Sequence, residues 1–469
     1  MSTQASLASV GKAESPASPW PTFWIASIAV LLVSIDTTVL YAGFGALLHA
    51  FPDSSAADLS WVLNAYTVTY AAMLIPAGGL ADVHGRKRIF LIGAAIFIIG
   101  SGACGAAGSV GMLVAARVVQ AVGAALLTPA SLSLILDAFP QNKRAVAVSL
   151  WGAVGGMAAA IGPSLGSLII DRMGWPWAFY INLPIGAVSL VFGAAVLIES
   201  RILGKVQRID FIGMLLLVTS VGAAALALTQ HESASWSRAS ISALAVTAGV
   251  ALLAFIVWAS KASYPLVDLK LFRDRTYSAV NLATLSFAMA FAMMFFAFFS
   301  YMTSIWHYSL PLAGIAITPG PLMVVPTAII SGRFAAHLGH RPGLVIGSLV
   351  YAASGLWLAL VPGTTPAYWT QWFPALILSG IGVGMVLPSL SGAATAQLPQ
   401  NQYGVGSAVN QAVRQIGSVL GVAITVVLIG HAGLSRADFS QLYVLHVALA
   451  LLTGVLCLAV NTRPKPQPA

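Results

Sequence analysis

Long apolar runs separated by short polar segments fill the chain from about residue 20 to residue 462. A helix that crosses a bilayer needs about 20 consecutive apolar residues, and fourteen of the runs are long enough. They lie near residues 22–48, 60–81, 88–108, 112–136, 145–169, 177–198, 210–230, 240–259, 277–306, 312–334, 343–361, 372–396, 406–429 and 441–461. The pattern predicts an all-α integral membrane protein with fourteen transmembrane helices.

The composition supports the bilayer as the solvent for most of this chain. It is 58% hydrophobic and 7% charged, whereas soluble proteins carry roughly 25% charged residues. The net charge of +9 does not indicate nucleic-acid binding, because the basic residues are scattered between the apolar runs. Cys104 and Cys457 lie far apart inside apolar runs, which is typical of buried free thiols.

The basic residues also predict the orientation of the helices. With both termini inside, seventeen of the 22 Lys and Arg residues fall in inner segments and three in outer segments. Such an excess is the positive-inside signal, so both termini are expected in the cytoplasm. The remaining two, Arg117 and Arg414, lie well inside predicted helices. The polar start of the chain is interpreted as a disordered tail and not as a cleaved signal peptide.

Two sequence echoes at nearly one spacing predict two homologous halves. Gly85 and Gly93 align with Gly339 and Gly347 at an offset of 254, and residues 161–166 resemble residues 416–421 at an offset of 255. Paired halves around a central site are typical of secondary transporters. The predicted organisation is a tail at 1–19, a six-helix bundle at 20–199, a linker with two inserted helices at 200–275, a second six-helix bundle at 276–462 and a tail at 463–469.

Several short motifs stand out along the chain. They are Gly79-Leu80-Ala81-Asp82 with Gly85-Arg86-Lys87, Arg117-Val118-Val119-Gln120 with Gly123, Gly162-Pro163-Ser164-Leu165-Gly166, Asp36-Thr37-Thr38-Val39 and the stretch from Trp175 to Pro184. These motifs resemble those of the major facilitator superfamily, specifically its fourteen-helix drug:proton antiporter group, and the similarity extends from about Trp20 to Thr462. The resemblance implies two six-helix bundles with two inserted helices, and transport coupled to protons.

Asp36 is the one acidic residue that falls deep inside a predicted helix. A carboxylate at the bilayer centre costs about 2.5–3.5 kcal/mol, and low polarity makes it bind a proton more readily. We therefore predict that Asp36 couples transport to protons, although a structural hydrogen bond to nearby hydroxyls is the simpler alternative. The resemblance assigns Arg117 to proton transfer, whereas snorkelling to the outer interface is its alternative role.

A wider polar set is predicted to line the substrate cavity: Asp36, Asn64, Tyr66, Gln120, Asn281, Asn410, Gln411 and Arg414. For Arg414, snorkelling to the inner face remains open. The aromatic ninth helix is either an adaptable drug-binding surface or a lipid-facing one.

The short basic turn after the second helix is predicted to be a cytoplasmic gate, as the resemblance implies. Its residues are Gly79, Asp82, Gly85, Arg86 and Asp137. The alternative is that they only set topology, which does not explain the acid at Asp82. On the fifth helix, Gly162, Pro163 and Gly166 form the predicted antiporter motif, either as a rocking interface or as ordinary close packing.

No enzyme motif accompanies these residues. A phosphate-binding lysine loop and metal-ligand spacings of Cys and His are absent from the sequence, so we expect no cofactor and a proton gradient as the energy source. The expected protein is a monomeric antiporter of the bacterial inner membrane that exports amphipathic small molecules. The expected partners are that substrate and the lipid bilayer. A dedicated exporter of one metabolite or antibiotic, possibly anionic, and a non-transporting membrane scaffold or sensor remain alternatives.

Overall fold

A computed structural model describes residues 18–140, 143–201, 209–230, 236–396, 398, 403–431 and 433–462. The predicted tails therefore lie almost wholly outside the described residues. Sixteen α-helices make up this part of the chain. They are α1 (Trp20–Ala50), α2 (Ala56–His84), α3 (Arg86–Gly105), α4 (Val110–Ala138), α5 (Arg144–Met173), α6 (Trp177–Tyr180), α7 (Asn182–Val196), α8 (Phe211–Thr229), α9 (Arg238–Lys261), α10 (Arg275–Ser304), α11 (Leu310–Ile317), α12 (Pro319–Leu338), α13 (Arg341–Leu360), α14 (Phe373–Thr395), α15 (Tyr403–Ile429) and α16 (Arg436–Cys457).

Fourteen spans result, because α6 with α7 and α11 with α12 each form a single span. The π-helical turn Tyr368–Trp372 leads directly into α14 and belongs to the same span. Thirteen of the spans in the described residues are long and apolar enough to cross a membrane. The other is α2, which is 29 residues long but carries Asp58, Asn64 and Asp82. The predicted all-α membrane fold is confirmed.

Polar residues at the helix ends mark where the spans begin and stop. Ser55 and Asp58 form a capping box at the start of α2, and Ser435 with Asp438 does the same for α16. These side chains satisfy amide groups that the first helical turn leaves free. Within the spans the helices satisfy their own backbone groups, as a bilayer requires.

Gly85 and Gly339 occupy equivalent turns, as the sequence echo predicts. Gly85 links α2 to α3 with a φ angle of 107°, and Gly339 lies between α12 and α13 with a φ angle of 75°. Residues with a Cβ rarely adopt this region. Each turn therefore reverses the chain between two spans within one or two residues. The side of the bundle that carries Gly85 is called the Gly85 side below.

The first helices α1–α7 pack largely among themselves, and so do α10–α16. The two groups meet where α2 packs on α15, α5 on α11 and α12, and α1 on α10. The helices α8 and α9 pack on each other, and α8 also contacts both α2 and α15. The hairpin of α8 and α9 therefore lies over the seam between α2 and α15.

The aromatic helix α10 is enclosed by protein. It packs against α1, α14, α15 and α16, and Phe287, Met293, Phe296 and Tyr301 are all buried. The lipid-facing alternative for this helix is wrong, because four neighbouring helices cover it.

Candidate functional site

Asp36 lies near the middle of α1 and is fully buried. Its Oδ2 atom accepts a hydrogen bond of 2.6 Å from Nη1 of Arg117 on α4, whose side chain is 1% exposed. The two residues form a buried ion pair, so snorkelling of Arg117 is not observed. Either charge alone would be costly at this depth, and the pairing joins α1 to α4 by opposite charges.

Two side-chain amides hold the other oxygen of Asp36. Oδ1 accepts hydrogen bonds of 2.7 Å from Gln120 Nε2 and 3.0 Å from Asn182 Nδ2. Both amides also donate to Oγ of Ser101, at 3.1 Å and 3.0 Å. Ser101 in turn donates to the carbonyl of Phe179. Four helices thus converge on one carboxylate, which has the partners expected for a charged form.

Arg117 has further partners that hold its guanidinium in place. Nε donates to the carbonyl of Val62 at 2.9 Å, and Nη1 donates to Oε1 of Gln120 at 2.7 Å. The guanidinium carbon also lies 3.9 Å from the ring centroid of Tyr66, a cation–π distance. The arginine therefore keeps several contacts even when Asp36 is neutral.

A stack of aromatic rings leads from this cluster towards the last helices. Tyr66 and Tyr70 on α2 are stacked, with centroids 6.0 Å apart and planes 12° from parallel. The hydroxyl of Tyr70 donates to Thr128 at 3.0 Å. Tyr70 also lies within electrostatic range of Arg414 on α15. Among the predicted cavity residues, Asp36, Gln120 and Tyr66 thus all contact Arg117, and Tyr70 connects this cluster to the neighbourhood of Arg414.

The other predicted cavity residues are placed differently. Asn410 donates to Asn281 at 3.2 Å and to Thr284 at 2.9 Å, while Asn281 donates to the carbonyl of Tyr277. These bonds connect α10 with α15 and do not reach Asp36. Asn64 is buried on α2, and among the described residues neither polar atom of its side chain has a hydrogen-bond partner.

The cluster of Asp82, Arg86 and Asp137 joins three helix ends on the Gly85 side. Arg86 donates to Asp82 through Nε at 3.3 Å and Nη2 at 2.9 Å, and its Nη1 pairs with Asp137. Gly79 is buried on the last turns of α2. The structure brings the predicted gate residues together, and these bonds all lie within α2, α3 and α4.

Glu199 and Ser200 complete this cluster, although no motif in the sequence marks them. Glu199 accepts hydrogen bonds of 3.1 Å from the amides of Lys87 and Arg88 at the start of α3. Ser200 donates to Asp137 at 2.5 Å, and its carbonyl accepts from the amide of Arg86 at 2.9 Å. The chain that leaves α7 therefore fixes both the start of α3 and the ion-pair cluster.

Helix α5 lies between α1 and α11 at its glycine motif. A Cβ on Gly166 would meet two methyl groups of Val39 at 2.8 Å, and one on Gly162 would overlap the hydroxyl of Thr38. On the other side, Ser164 donates to the carbonyl of Gly314 at 3.1 Å and also pairs with Thr318. The predicted motif thus lets α5 approach α1 closely, at the place where α5 also contacts the second group of helices, α10–α16.

Ser101 and Asn182 are functional candidates that sequence reasoning left out of the site. Asn182 lies in the quoted Trp175–Pro184 stretch, so an amide that starts a long apolar run was the available signal. Ser101 has no such signal, because a serine in an apolar helix most often bonds its own backbone.

Known proteins share this chain's sequence and its fold. A family model described as Major Facilitator Superfamily matches residues 26–205 and 280–469. The tetracenomycin C resistance and export protein of Streptomyces glaucescens is 31% identical over 438 residues, which cover 91% of this chain and 80% of that protein. Multidrug resistance protein 3 of Bacillus subtilis is 30% identical and covers 85% of this chain and 77% of that protein.

Solved structures agree at the level of the fold. A peptide transporter crystallised in complex with sulfate superposes with a TM-score of 0.70 at 14% identity, covering 96% of this chain and 95% of that chain. Because the family model matches most of the sequence, the chain belongs to the major facilitator superfamily and is a multi-pass membrane transporter, not an enzyme.

Proposed function

We propose that this transporter is a proton-coupled antiporter that exports amphipathic, drug-like small molecules across the bacterial inner membrane by alternating access. The proton gradient supplies the energy, and no cofactor takes part. The observation that carries the proposal is the buried ion pair of Asp36 and Arg117. It is the one described ion pair in the interior of the spans, and a proton can replace the arginine as the partner of the carboxylate.

The chemistry of coupling follows from that exchange. A proton on Asp36 removes its negative charge and with it the attraction to Arg117. Arg117 then keeps the carbonyl of Val62, the oxygen of Gln120 and the ring of Tyr66, but its charge is no longer compensated. The protonated and deprotonated forms therefore favour different packing of α1 against α4.

Helix α1 also carries the contacts that close one side of the molecule. Tyr41 packs on Phe295 with centroids 5.5 Å apart, and Phe44 on Phe296 at 4.8 Å. These contacts lie towards the side opposite Gly85. A shift of α1 that begins at Asp36 would therefore disturb the closure between α1 and α10, which supports a link between protonation and opening.

We assign the Gly85 side to the cytoplasm on the basis of the basic residues. With this assignment, the contacts between α1 and α10 close the outer side of the transporter, and the cluster of Asp82, Arg86 and Asp137 lies at the cytoplasmic gate. Both termini are cytoplasmic, and the transporter acts as a monomer.

In intact cells, an impermeant thiol reagent should label Arg238→Cys and spare Lys143→Cys. The native Cys104 and Cys457 are buried and give little background.

The names of two relatives indicate two different substrate ranges. One is named for resistance to many drugs, and the other for resistance to a single antibiotic. Broad export is the first candidate, because the stacked rings of Tyr66 and Tyr70 lie beside the buried polar cluster. A dedicated exporter of one metabolite or antibiotic is the second. Both use the same proton site.

Growth inhibition in a host without its own efflux pumps tests the proposal. The panel contains ethidium as a cation, chloramphenicol as a neutral compound and nalidixic acid as an anion. The wild type should raise the inhibitory concentration of at least one compound, and Asp36→Asn should not. Asp171→Asn, at an exposed position at the end of α5, is the matched control and should behave as wild type. Equal resistance from wild type and Asp36→Asn would contradict the proposal.

A further inference from the structure

Arg414 lies deep in the membrane region. It is eleven residues after Tyr403, the first residue of α15, which places it about 16 Å along the helix axis. Its Nε atom is buried and has no hydrogen-bond partner among the described residues. The residue as a whole is partly exposed, so part of its side chain is accessible to a ligand.

The charge of Arg414 has no acidic partner in the described part of the chain. The ion pairs there join Arg86 to Asp82 and Asp137, Arg117 to Asp36, and His431 to Asp438. Asp36 is the one described acid within the interior of a span, and Arg117 already pairs with it. The other described acids lie at helix ends or in loops. Among the described residues, the interior of the spans therefore carries one uncompensated positive charge, that of Arg414.

The surroundings of Arg414 combine that charge with an aromatic wall. Helix α15 packs on α2, and the stacked rings of Tyr66 and Tyr70 lie on the α2 side. The hydroxyl of Tyr66, on the same helix, is buried without a hydrogen-bond partner among the described residues. Arg117 lies over the ring of Tyr66, and Tyr70 is the ring within electrostatic range of Arg414, so a ligand at Arg414 would meet the wall at Tyr70. An aromatic ring suits the apolar part of a ligand, while a guanidinium suits a carboxylate because it can form two parallel hydrogen bonds with it.

We propose that Arg414, with the wall of Tyr66 and Tyr70, is a subsite for the acidic group of an amphipathic aromatic substrate. This inference rests on the proposed export function and narrows its substrate class to organic anions with an apolar ring system. The bound carboxylate supplies the negative charge that Arg414 lacks. Tyr66 contacts the guanidinium of Arg117 and Tyr70 lies within electrostatic range of Arg414, so the subsite adjoins the proton site through Tyr66.

The direction of transport is consistent with an anionic substrate. The interior of a bacterial cell is electrically negative, so the membrane potential favours the exit of an anion. Exchange of one anion for one entering proton moves two charges in the favourable direction. Exchange of a cation for one proton moves none, and the potential would then contribute nothing.

Three probes that share one ring system test the subsite on the full-length purified protein. They are 9-anthracenecarboxylate, the neutral 9-anthracenemethanol and the cationic 9-anthracenemethylammonium. Binding is measured by fluorescence. Wild type should bind the carboxylate at least about tenfold more tightly than the other two, as a charge-assisted pair predicts. In Arg414→Gln the ratio of carboxylate to neutral affinity should approach one, and Arg414→Lys should retain part of it.

Arg333→Gln is the matched control, because it removes the same charge from an exposed position on α12. It should keep the ratio of the wild type. An unchanged ratio in Arg414→Gln would overturn the inference. A wild type that shows no preference for the carboxylate would also overturn it, and this measurement needs no variant to fold.

Measurement of proton release on addition of each probe distinguishes a failure of this inference from a failure of the proposed function. Release by wild type with the neutral probe, lost in Asp36→Asn, would support antiport even if Arg414 proves irrelevant. Carboxylate binding that depends on Arg414, without release for any probe, would support the subsite and contradict antiport.

Discussion

Nη1 of Arg117 lies 2.6 Å from Oδ2 of Asp36, and both side chains are buried between α1 and α4. Gln120 and Asn182 occupy the second oxygen of the same carboxylate. A proton that binds Asp36 must therefore compete with a guanidinium. The carboxylate cannot bind the proton without a change in the contact between two helices.

Removal of Arg117 should destabilise the protein more than removal of both charges. Arg117→Gln leaves Asp36 buried without its cation, which costs about 3–5 kcal/mol. Asp36→Asn combined with Arg117→Gln should recover most of this loss, because neither charge remains. Thermal unfolding in detergent at neutral pH measures the effect. A double variant no more stable than Arg117→Gln would show that the pair is not the source of the stability.

A methyl group at Gly166 should separate α1 from α5. Gly166→Ala places a carbon 2.8 Å from the methyl groups of Val39, and overpacking of this kind typically costs about 1–3 kcal/mol. We expect lower thermal stability and slower export. Gly152→Ala, on the same helix with open space around its Cβ, is the control and should retain wild-type values of both. Equal effects of the two variants would contradict the assigned close approach.

Loss of the Glu199 carboxylate should slow transport more than it weakens substrate binding. Glu199→Ala removes the bonds to the amides of Lys87 and Arg88, a capping loss of about 1 kcal/mol. It loosens the cluster around Arg86 and leaves the Asp36 site intact, so the maximal export rate should fall at nearly unchanged binding affinity.

Ser237→Ala removes a comparable cap at the start of α9, where Ser237 accepts from the amide of Ser240. It should leave the export rate unchanged. A reduced rate in this control, or an unchanged rate in Glu199→Ala, would remove Glu199 from the gate.

His340 should make stability fall in acid. It lies in the turn between α12 and α13, and burial lowers its pKa from the ordinary value of 6.5. The unfolded chain then binds the proton more readily than the fold does, so the contribution of His340 is present above pH 6.5 and is lost as pH falls towards the folded pKa.

His340→Asn should reduce this loss when thermal unfolding is compared at pH 7 and at lower pH. Exposed His84→Asn, in the equivalent turn region of the first half, is the control and should keep the wild-type profile. An identical pH profile in His340→Asn and wild type would contradict the assignment.

The helices and turns were largely predictable from the sequence, because span length and glycine position are local signals. Gly85 and Gly339 illustrate this: the sequence echo aligns them, and both lie in turns with a positive φ. Asp36 and Arg117 were selected because charges inside apolar runs are rare. Their pairing was not predictable, since it depends on how α1 and α4 rotate and pack in three dimensions.

Polar residues whose partners are distant in sequence were harder to assign. Glu199 is 112 residues from its partner Lys87 and resembles any polar residue at the end of a span. Asn281 and Asn410 were expected in the cavity as polar residues in apolar helices. The face on which such an amide lies depends on helix rotation, and here the two bond to each other.

Proton release from purified protein on addition of substrate tests the exchange at Asp36 most directly. Wild type in weakly buffered detergent solution receives the compound that gives the strongest resistance in the growth panel, and a pH indicator records the change. We predict release from wild type and from Asp171→Asn, and no release from Asp36→Asn that still binds the compound. Release of the same size from Asp36→Asn would contradict the account.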